Sequence, residues 1–208
     1  MKYFIFDYGH VLQSKIDYEL IKNEPSEIAP KYENNEKVKE LKDKFRKLYF
    51  SGKIETKEYV EDIKQYLNCP NITEQEYIKN FYEIGRKYSK TNPNLDYIIK
   101  LIRSKGYKIY VLSNIGENQE EELRKNIKAE RFDKVFLSYE MKLIKPEPKI
   151  YQKVIKEIEA NPKDMYFFDD KEENVIAAIK EGINAYVTDF YKVKEKVEEV
   201  INRIDLQE

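Results

Sequence analysis

The chain has 208 residues, which suits one large domain or a core with a smaller insert. Its 38 Lys and Arg nearly balance 39 Asp and Glu, so there is no global basic field to gather nucleic acid. One cysteine, Cys69, excludes an internal disulfide framework, and one histidine, His10, excludes a zinc site built from several His or Cys.

The first apolar run, Tyr3 to Phe6 (YFIF), reads as a buried strand that stops at Asp7. It is too short for a signal peptide, and no later stretch is long and apolar enough to span a membrane, so the expectation is a soluble, cytoplasmic protein. From about Asp17 to about Thr91 there is no strand-like run. Instead, Val38, Leu41, Phe45, Leu48 and Tyr49 fall at helical spacing. After a turn at Ser51 and Gly52, Tyr59, Val60, Ile63, Tyr66 and Leu67 share a face. Thr73 opens TEQE, a capping-box pattern closed by Glu76. This predicts an all-helical insert of three or four helices, with the return to the core at NPN, Asn92 to Asn94. Strand and helix then alternate. A helix over Leu95 to Arg103 runs to Gly106, followed by strands at Lys108 to Leu112, Val135 to Leu137 and Met165 to Phe168. A helix over Asn174 to Lys180 ends near Gly182, and a last strand covers Ala185 to Val187. The pattern predicts an α/β fold with a doubly wound parallel sheet, the core being residues 1–16 and 92–208 and the insert residues 17–91.

Four of these strands end in polar residues: Asp7, then Ser113 and Asn114, then a path to Lys145, then Asp169 and Asp170. In an open parallel sheet all the carboxyl ends meet at one edge, where ligands bind. Clustered carboxylates repel unless a cation offsets them, and oxygen ligands select a hard cation such as Mg²⁺. Lys145 and Ser113 would complete a phosphate cradle. Each residue also has a plainer explanation. Asp7 alone reads as a strand-end cap, Asp169 and Asp170 as acidic residues at a helix start, and Lys145 as one solvated lysine among many. The tyrosines of the insert read as amphipathic packing, and Cys69 as a thiol with no sign of activation.

FDYGHVL, VLSN, KPEPKIY and FFDDKEENVIAAIKEG resemble, in order, the four motifs of the haloacid dehalogenase-like hydrolase superfamily. The closest likeness is to the phosphatase branch that includes bacterial sugar-phosphate phosphatases and the N-terminal domains of soluble epoxide hydrolases. The insert sits where that family places its helical cap. The resemblance implies that Asp7 attacks phosphorus to form an aspartyl-phosphate, that Ser113 and Asn114 hold the phosphate, and that Lys145 neutralises charge. It also implies that Asp7, the carbonyl of Gly9 and Asp170, supported by Asp169 and Asn174, hold Mg²⁺. The implied partner is a small phosphorylated metabolite, such as a sugar phosphate.

The sequence departs from the family pattern at two positions. The pattern usually reads Asp-x-Asp, the second Asp serving as general acid and base, and here that position is Gly9. Some phosphatases of the branch also carry Gly there. His10 is the nearest substitute donor, since an imidazole changes charge near neutral pH. Lys142 stands where close relatives often have Gly. Gly9 leaves two other expectations standing: a non-catalytic phosphate-ligand or protein-binding module, and, with less support, a 2-haloacid dehalogenase, which needs no metal.

Overall fold

The computed structural model describes residues 1–14, 36–64 and 71–207. Five parallel strands form one sheet in the order β3-β2-β1-β4-β5: β1 Tyr3–Phe6, β2 Lys108–Ser113, β3 Lys134–Leu137, β4 Met165–Asp169 and β5 Asn184–Val187. Both faces of β1 are buried, which explains its unbroken apolar sequence. Phe4 and Phe6 enter one hydrophobic cluster and Ile5 enters another on the opposite face. The strands expected from sequence are all present, two of them longer by the polar residue at their carboxyl end, Ser113 and Asp169.

Helices cover the two faces. Helix α4, Leu95–Ser104, buries Leu95, Ile98, Ile99 and Ile102 and stops ahead of Gly106, whose φ of 72° is a left-handed conformation that favours glycine. It lies in the same cluster as α5, Glu120–Ile127, and α9, Val193–Asp205, which contributes Val193, Val197, Val200, Ile201 and Ile204. The other face carries α7, Pro148–Ile158, through Ile150, Tyr151 and Val154, and α8, Glu172–Lys180, through Ala178. Proline at the first turn of α7 fits a position where its missing N–H has no helical partner. One turn of helix, α6 (Ser138–Met141), follows β3.

Between β1 and α4 the described residues form three helices, α1 Glu36–Phe50, α2 Thr56–Ile63 and α3 Glu74–Tyr88. Tyr49 and Tyr59 stack with centroids 4.4 Å apart and pack with Phe45, Phe50, Ile54 and Tyr77. The capping box is present: Thr73 Oγ1 accepts from the Glu76 N–H at 3.2 Å, and Glu76 Oε2 accepts from the Thr73 N–H at 2.8 Å. Val38, Leu41 and Ile63 belong to these helices, but the packing expected of their side chains lies outside the described residues, as do Asp17, Tyr66, Leu67 and Cys69. No described helix is long and apolar enough to cross a membrane.

The strand order fixes where a ligand can sit. From β1 the chain moves outward through β2 to β3, then returns across β1 to place β4 and β5 on its other side. The direction of winding therefore reverses between β1 and β4, and a crevice opens there at the carboxyl ends of the strands. Asp7 follows β1, and Asp169 ends β4.

Candidate active site

Asp7 continues the ladder by one bond, its N–H donating to the Phe168 carbonyl at 2.8 Å, and its side chain then leaves the sheet edge. Asp7 Oδ1 accepts from the Tyr8 N–H at 2.8 Å and lies 2.9 Å from Lys145 Nζ. That ammonium is buried and uses all three of its protons: on Asp7, on Asp169 Oδ2 at 2.6 Å and on the Leu112 carbonyl at 2.9 Å. Asp169 is fully buried, and its other oxygen accepts from the Lys171 N–H at 2.9 Å and from Asn174 Nδ2 at 2.8 Å. Oxygens of Asp7, Asp169 and Asp170 lie within 4.8 Å of one another. Asp170 Oδ2 meets His10 Nδ1 at 2.9 Å.

The electrostatics follow from burial and charge. Burial pushes the Asp7 carboxyl up to about 7; Lys145 opposes this, while Asp169 and Asp170 add to it. Burial works against the Lys145 ammonium, but its two carboxylate neighbours outweigh it and hold its pKa above the ordinary lysine value. Burial would also raise Asp170, yet the His10 hydrogen bond and nearby positive charge bring it below the usual carboxylate range.

The structure gathers Asp7, Lys145, Asp169, Asp170 and His10 at one edge, with Ser113 ending the neighbouring strand. His10 adopts a left-handed backbone, φ 61°, and its ring contacts Asp170. Gly9 lies in the turn after Asp7, and a Cβ built on it would meet nothing within 4 Å. The Asn114 side chain turns to the neighbouring loop. Its Oδ1 accepts from the Lys145 N–H at 2.9 Å and its Nδ2 donates to the Lys145 carbonyl at 2.8 Å, so both ends of its amide hold the backbone that presents the lysine. Sequence reasoning passed over Ser138, fully buried at the start of α6. Its Oγ accepts from the Ile115 N–H at 2.9 Å and donates to the Phe50 carbonyl at 2.6 Å. Nothing in the run SYEMKLI marks that serine, because both partners are remote in sequence.

The donor set suits magnesium. Asp169 is occupied by protein donors, whereas Asp7 Oδ2 and Asp170 Oδ1 take no hydrogen bond among the described residues. Two free carboxylate oxygens are hard ligands, few enough to leave positions for water or phosphate oxygens.

Comparison with known proteins agrees with this fold. A HAD family enzyme from Bacteroides thetaiotaomicron, a mutant form in complex with magnesium and inorganic phosphate, is 26% identical with a TM-score of 0.72 over 90% of this chain and 93% of that one. An L-2-haloacid dehalogenase from Xanthobacter autotrophicus with chloropropionic acid covalently bound shares the fold at 15% identity, TM-score 0.61, over 90% of this chain and 77% of that one. The sesquiterpene phosphatase astK of Aspergillus oryzae is 31% identical over 94 residues, 44% of this chain and 48% of that protein, so the match spans about half the curated relative. The family described as haloacid dehalogenase-like hydrolase matches residues 6–188, from the last residue of β1 to just past β5. With the motif residues assembled along the strand ends of that same span, the chain belongs to the haloacid dehalogenase-like hydrolase family.

Proposed function

We propose that this hydrolase is a magnesium-dependent phosphatase of a small phosphorylated metabolite, working through an aspartyl-phosphate on Asp7. The observation that carries this reading is the Asp7 carboxylate held 2.9 Å from the buried Lys145 ammonium, at the winding reversal, with Asp170 beside it. The magnesium and phosphate in the Bacteroides relative and the phosphatase activity in the name of the Aspergillus relative support it. Residues 17–91 would form the cap, and the rest the core.

In the first step a carboxylate oxygen of Asp7 forms a bond to phosphorus as the bond from phosphorus to the ester oxygen breaks. Lys145, its backbone pinned by Asn114 and its charge balanced by Asp169, keeps Asp7 aimed and offsets negative charge on the phosphoryl group. Ser113, at the end of β2, holds the phosphoryl oxygens. Asp7, Asp170 and the Gly9 carbonyl would hold magnesium, which when bound supplies positive charge against the carboxylates and the phosphoryl oxygens. Water then attacks phosphorus, the acyl-phosphate oxygen leaves, and the Asp7 carboxylate returns with release of inorganic phosphate.

Gly9 removes the usual carboxyl proton donor. The leaving oxygen must take its proton from water or from His10, which reaches the site through Asp170. An enzyme short of a general acid does best with leaving groups that need little protonation, so aryl phosphates should turn over faster than simple alkyl phosphates. The deciding experiment is a panel of sugar, nucleotide, polyol and aryl phosphates assayed with and without Mg²⁺. Equal rates across leaving-group pKa, with chemistry shown to limit turnover, would remove the argument from Gly9.

Gly9, open on its Cα side, also favours a second reading: a binding module that kept the fold without the acid. Beryllium fluoride with Mg²⁺ mimics an aspartyl-phosphate. No binding of it, together with no hydrolysis across the panel, would favour the module. The dehalogenase expectation is disfavoured by the acidic cluster, and chloride release from 2-haloacids should be blank.

A further inference from the structure

The turn joining α1 to α2 is fastened to two core loops that leave the catalytic edge. Tyr49 lays its ring against Gly116, where any side chain would overlap it. The Tyr49 hydroxyl donates to Asn118 Oδ1, accepts from the Asn118 N–H at 3.1 Å and lies 3.0 Å from Thr56 Oγ1. The Phe50 carbonyl accepts from Ser138 at 2.6 Å. Gly52, at φ 59°, packs so closely on the Tyr139 carbonyl that a Cβ would overlap it, and its own carbonyl accepts from Lys142 Nζ at 2.7 Å.

These contacts are not distributed at random. Gly116 and Asn118 follow Ser113 by a few residues, and Lys142 precedes Lys145 by three. At the other attachment of the insert, two chain segments run side by side. The Ser14 N–H donates to the Lys90 carbonyl at 2.8 Å, the Lys90 N–H to Ser14 Oγ at 2.9 Å, and Gln13 Nε2 to Ser89 Oγ at 2.7 Å. The insert is thus fixed by its covalent linkers on one side and by side-chain contacts on the other. Lys142 is the exposed member of the second set, and it holds a left-handed backbone, φ 57°, that glycine would adopt more readily. A lysine in a strained conformation whose ammonium ends on a carbonyl of the insert is accounted for by that contact.

We propose that Lys142 is a positioning residue that latches the α1–α2 turn beside the catalytic crevice and so sets how bulky a phosphate ester the site admits. The latch stands on geometry alone; the consequence for ester size rests on the phosphatase reading.

Amide hydrogen exchange on the full-length chain tests the latch without any substrate. Lys142→Gly removes the ammonium while relaxing the backbone, so its folding is safe. Residues 49–53 should exchange about three- to tenfold faster, the effect of losing one exposed hydrogen bond on a local opening equilibrium. Helix α9, which takes part in none of the contacts named above, should be unchanged. Tyr49→Phe, which keeps the ring on Gly116 but loses Asn118, should move the same residues in the same direction. Unchanged exchange at 49–53 in Lys142→Gly overturns the latch, whatever Tyr49→Phe does. In turnover, Lys142→Gly should raise KM for a small ester more than it lowers kcat, and narrow the preference for small over bulky esters. Faster exchange with an unchanged size preference overturns the specificity role and leaves only a structural contact. Should no phosphate ester be hydrolysed by the unaltered protein, the phosphatase reading and its size filter fall, and exchange alone decides the latch.

Discussion

At Asp7 two forces oppose each other: burial favours the neutral acid, and Lys145 favours the anion. The proposed chemistry needs the anion, so substitutions here and at Asp170 should fail in different ways. Asp7→Asn keeps size and one oxygen but removes the nucleophile; turnover should vanish while binding of a phosphate ligand, followed by calorimetry, largely survives. Asp170→Asn keeps an amide oxygen, a weaker hard ligand, so its lost activity should return in part as Mg²⁺ is raised. Rescue of Asp7→Asn by excess Mg²⁺ would show that the nucleophile is elsewhere. The neighbouring Gly9 invites the opposite experiment. Space around its Cα is open and its φ is not in the left-handed region, so a side chain is sterically admissible. Gly9→Asp should restore a proton donor and speed alkyl phosphates selectively, by an amount bounded by the roughly 10²–10⁴-fold worth of general acid–base catalysis. A uniform gain on aryl and alkyl esters would mean that something other than leaving-group protonation had changed.

At the scale of elements, Asn92 shows how a loop residue can hold several segments together. It is buried, its Nδ2 donates to the Val11 carbonyl at 3.2 Å and to the Phe190 carbonyl at 2.6 Å, and its Oδ1 accepts from the Asn94 N–H at 2.9 Å. It therefore ties the start of α4 to the loop after β1 and to the loop before α9. Asn92→Ala strands these partners and should cost about 1–3 kcal/mol, the penalty for a buried polar group left unpaired; urea denaturation measures it, and a loss below about 0.5 kcal/mol would be inconsistent with the buried network. The NPN stretch reads in the sequence as a break before a helix because Asn and Pro punctuate chains locally, and α4 begins directly after it. For the same reason the strands could be read from continuous apolar runs, and the capping box from Thr73 and Glu76. The winding order then made Asp7, Ser113, Lys145 and Asp169 converge at one edge. Legibility ended where partners are remote. The Asn114 side-chain amide holds the Lys145 backbone, 31 residues on, a pairing its place beside Ser113 does not announce. Ser138 and Lys142 bind the insert's turn 88 and 90 residues away, pairings that no periodicity records. His10 stands one position beyond the missing acid; the left-handed backbone at that residue accompanies a ring that meets Asp170, which spacing alone does not reveal.

For the whole molecule, the carboxylate cluster couples folding to proton uptake and, on the proposed reading, to cation binding. Asp7 in the metal-free fold has its pKa raised from 3.8 to about 7, chiefly by burial. Between those values the folded protein keeps a proton that the unfolded chain has lost, so this group makes stability fall as pH rises through that window and level off above it. Lys145 acts in another range: its raised pKa contributes stability that is complete below the ordinary lysine value and lost only in strong alkali. Asp170 has the opposite sign to Asp7. Its lowered pKa contributes stability above the ordinary carboxylate value and loses it on acidification. From about pH 5 to pH 7 Asp7 titrates, and a cation held by Asp7 and Asp170 would compete with the Asp7 proton. Added Mg²⁺ should therefore raise Tm more at pH 8 than at pH 6, and its binding at pH 6 should release protons, seen as a buffer-dependent heat in calorimetry. Asp7→Asn removes that competing proton, so any remaining Mg²⁺ stabilisation in that variant should differ less between pH 6 and pH 8. A Tm increment from Mg²⁺ that is equal at pH 6 and pH 8 in the unaltered protein would place the cation away from Asp7. If the increment instead varies with pH and the variation survives in Asp7→Asn, the titrating group is a different one.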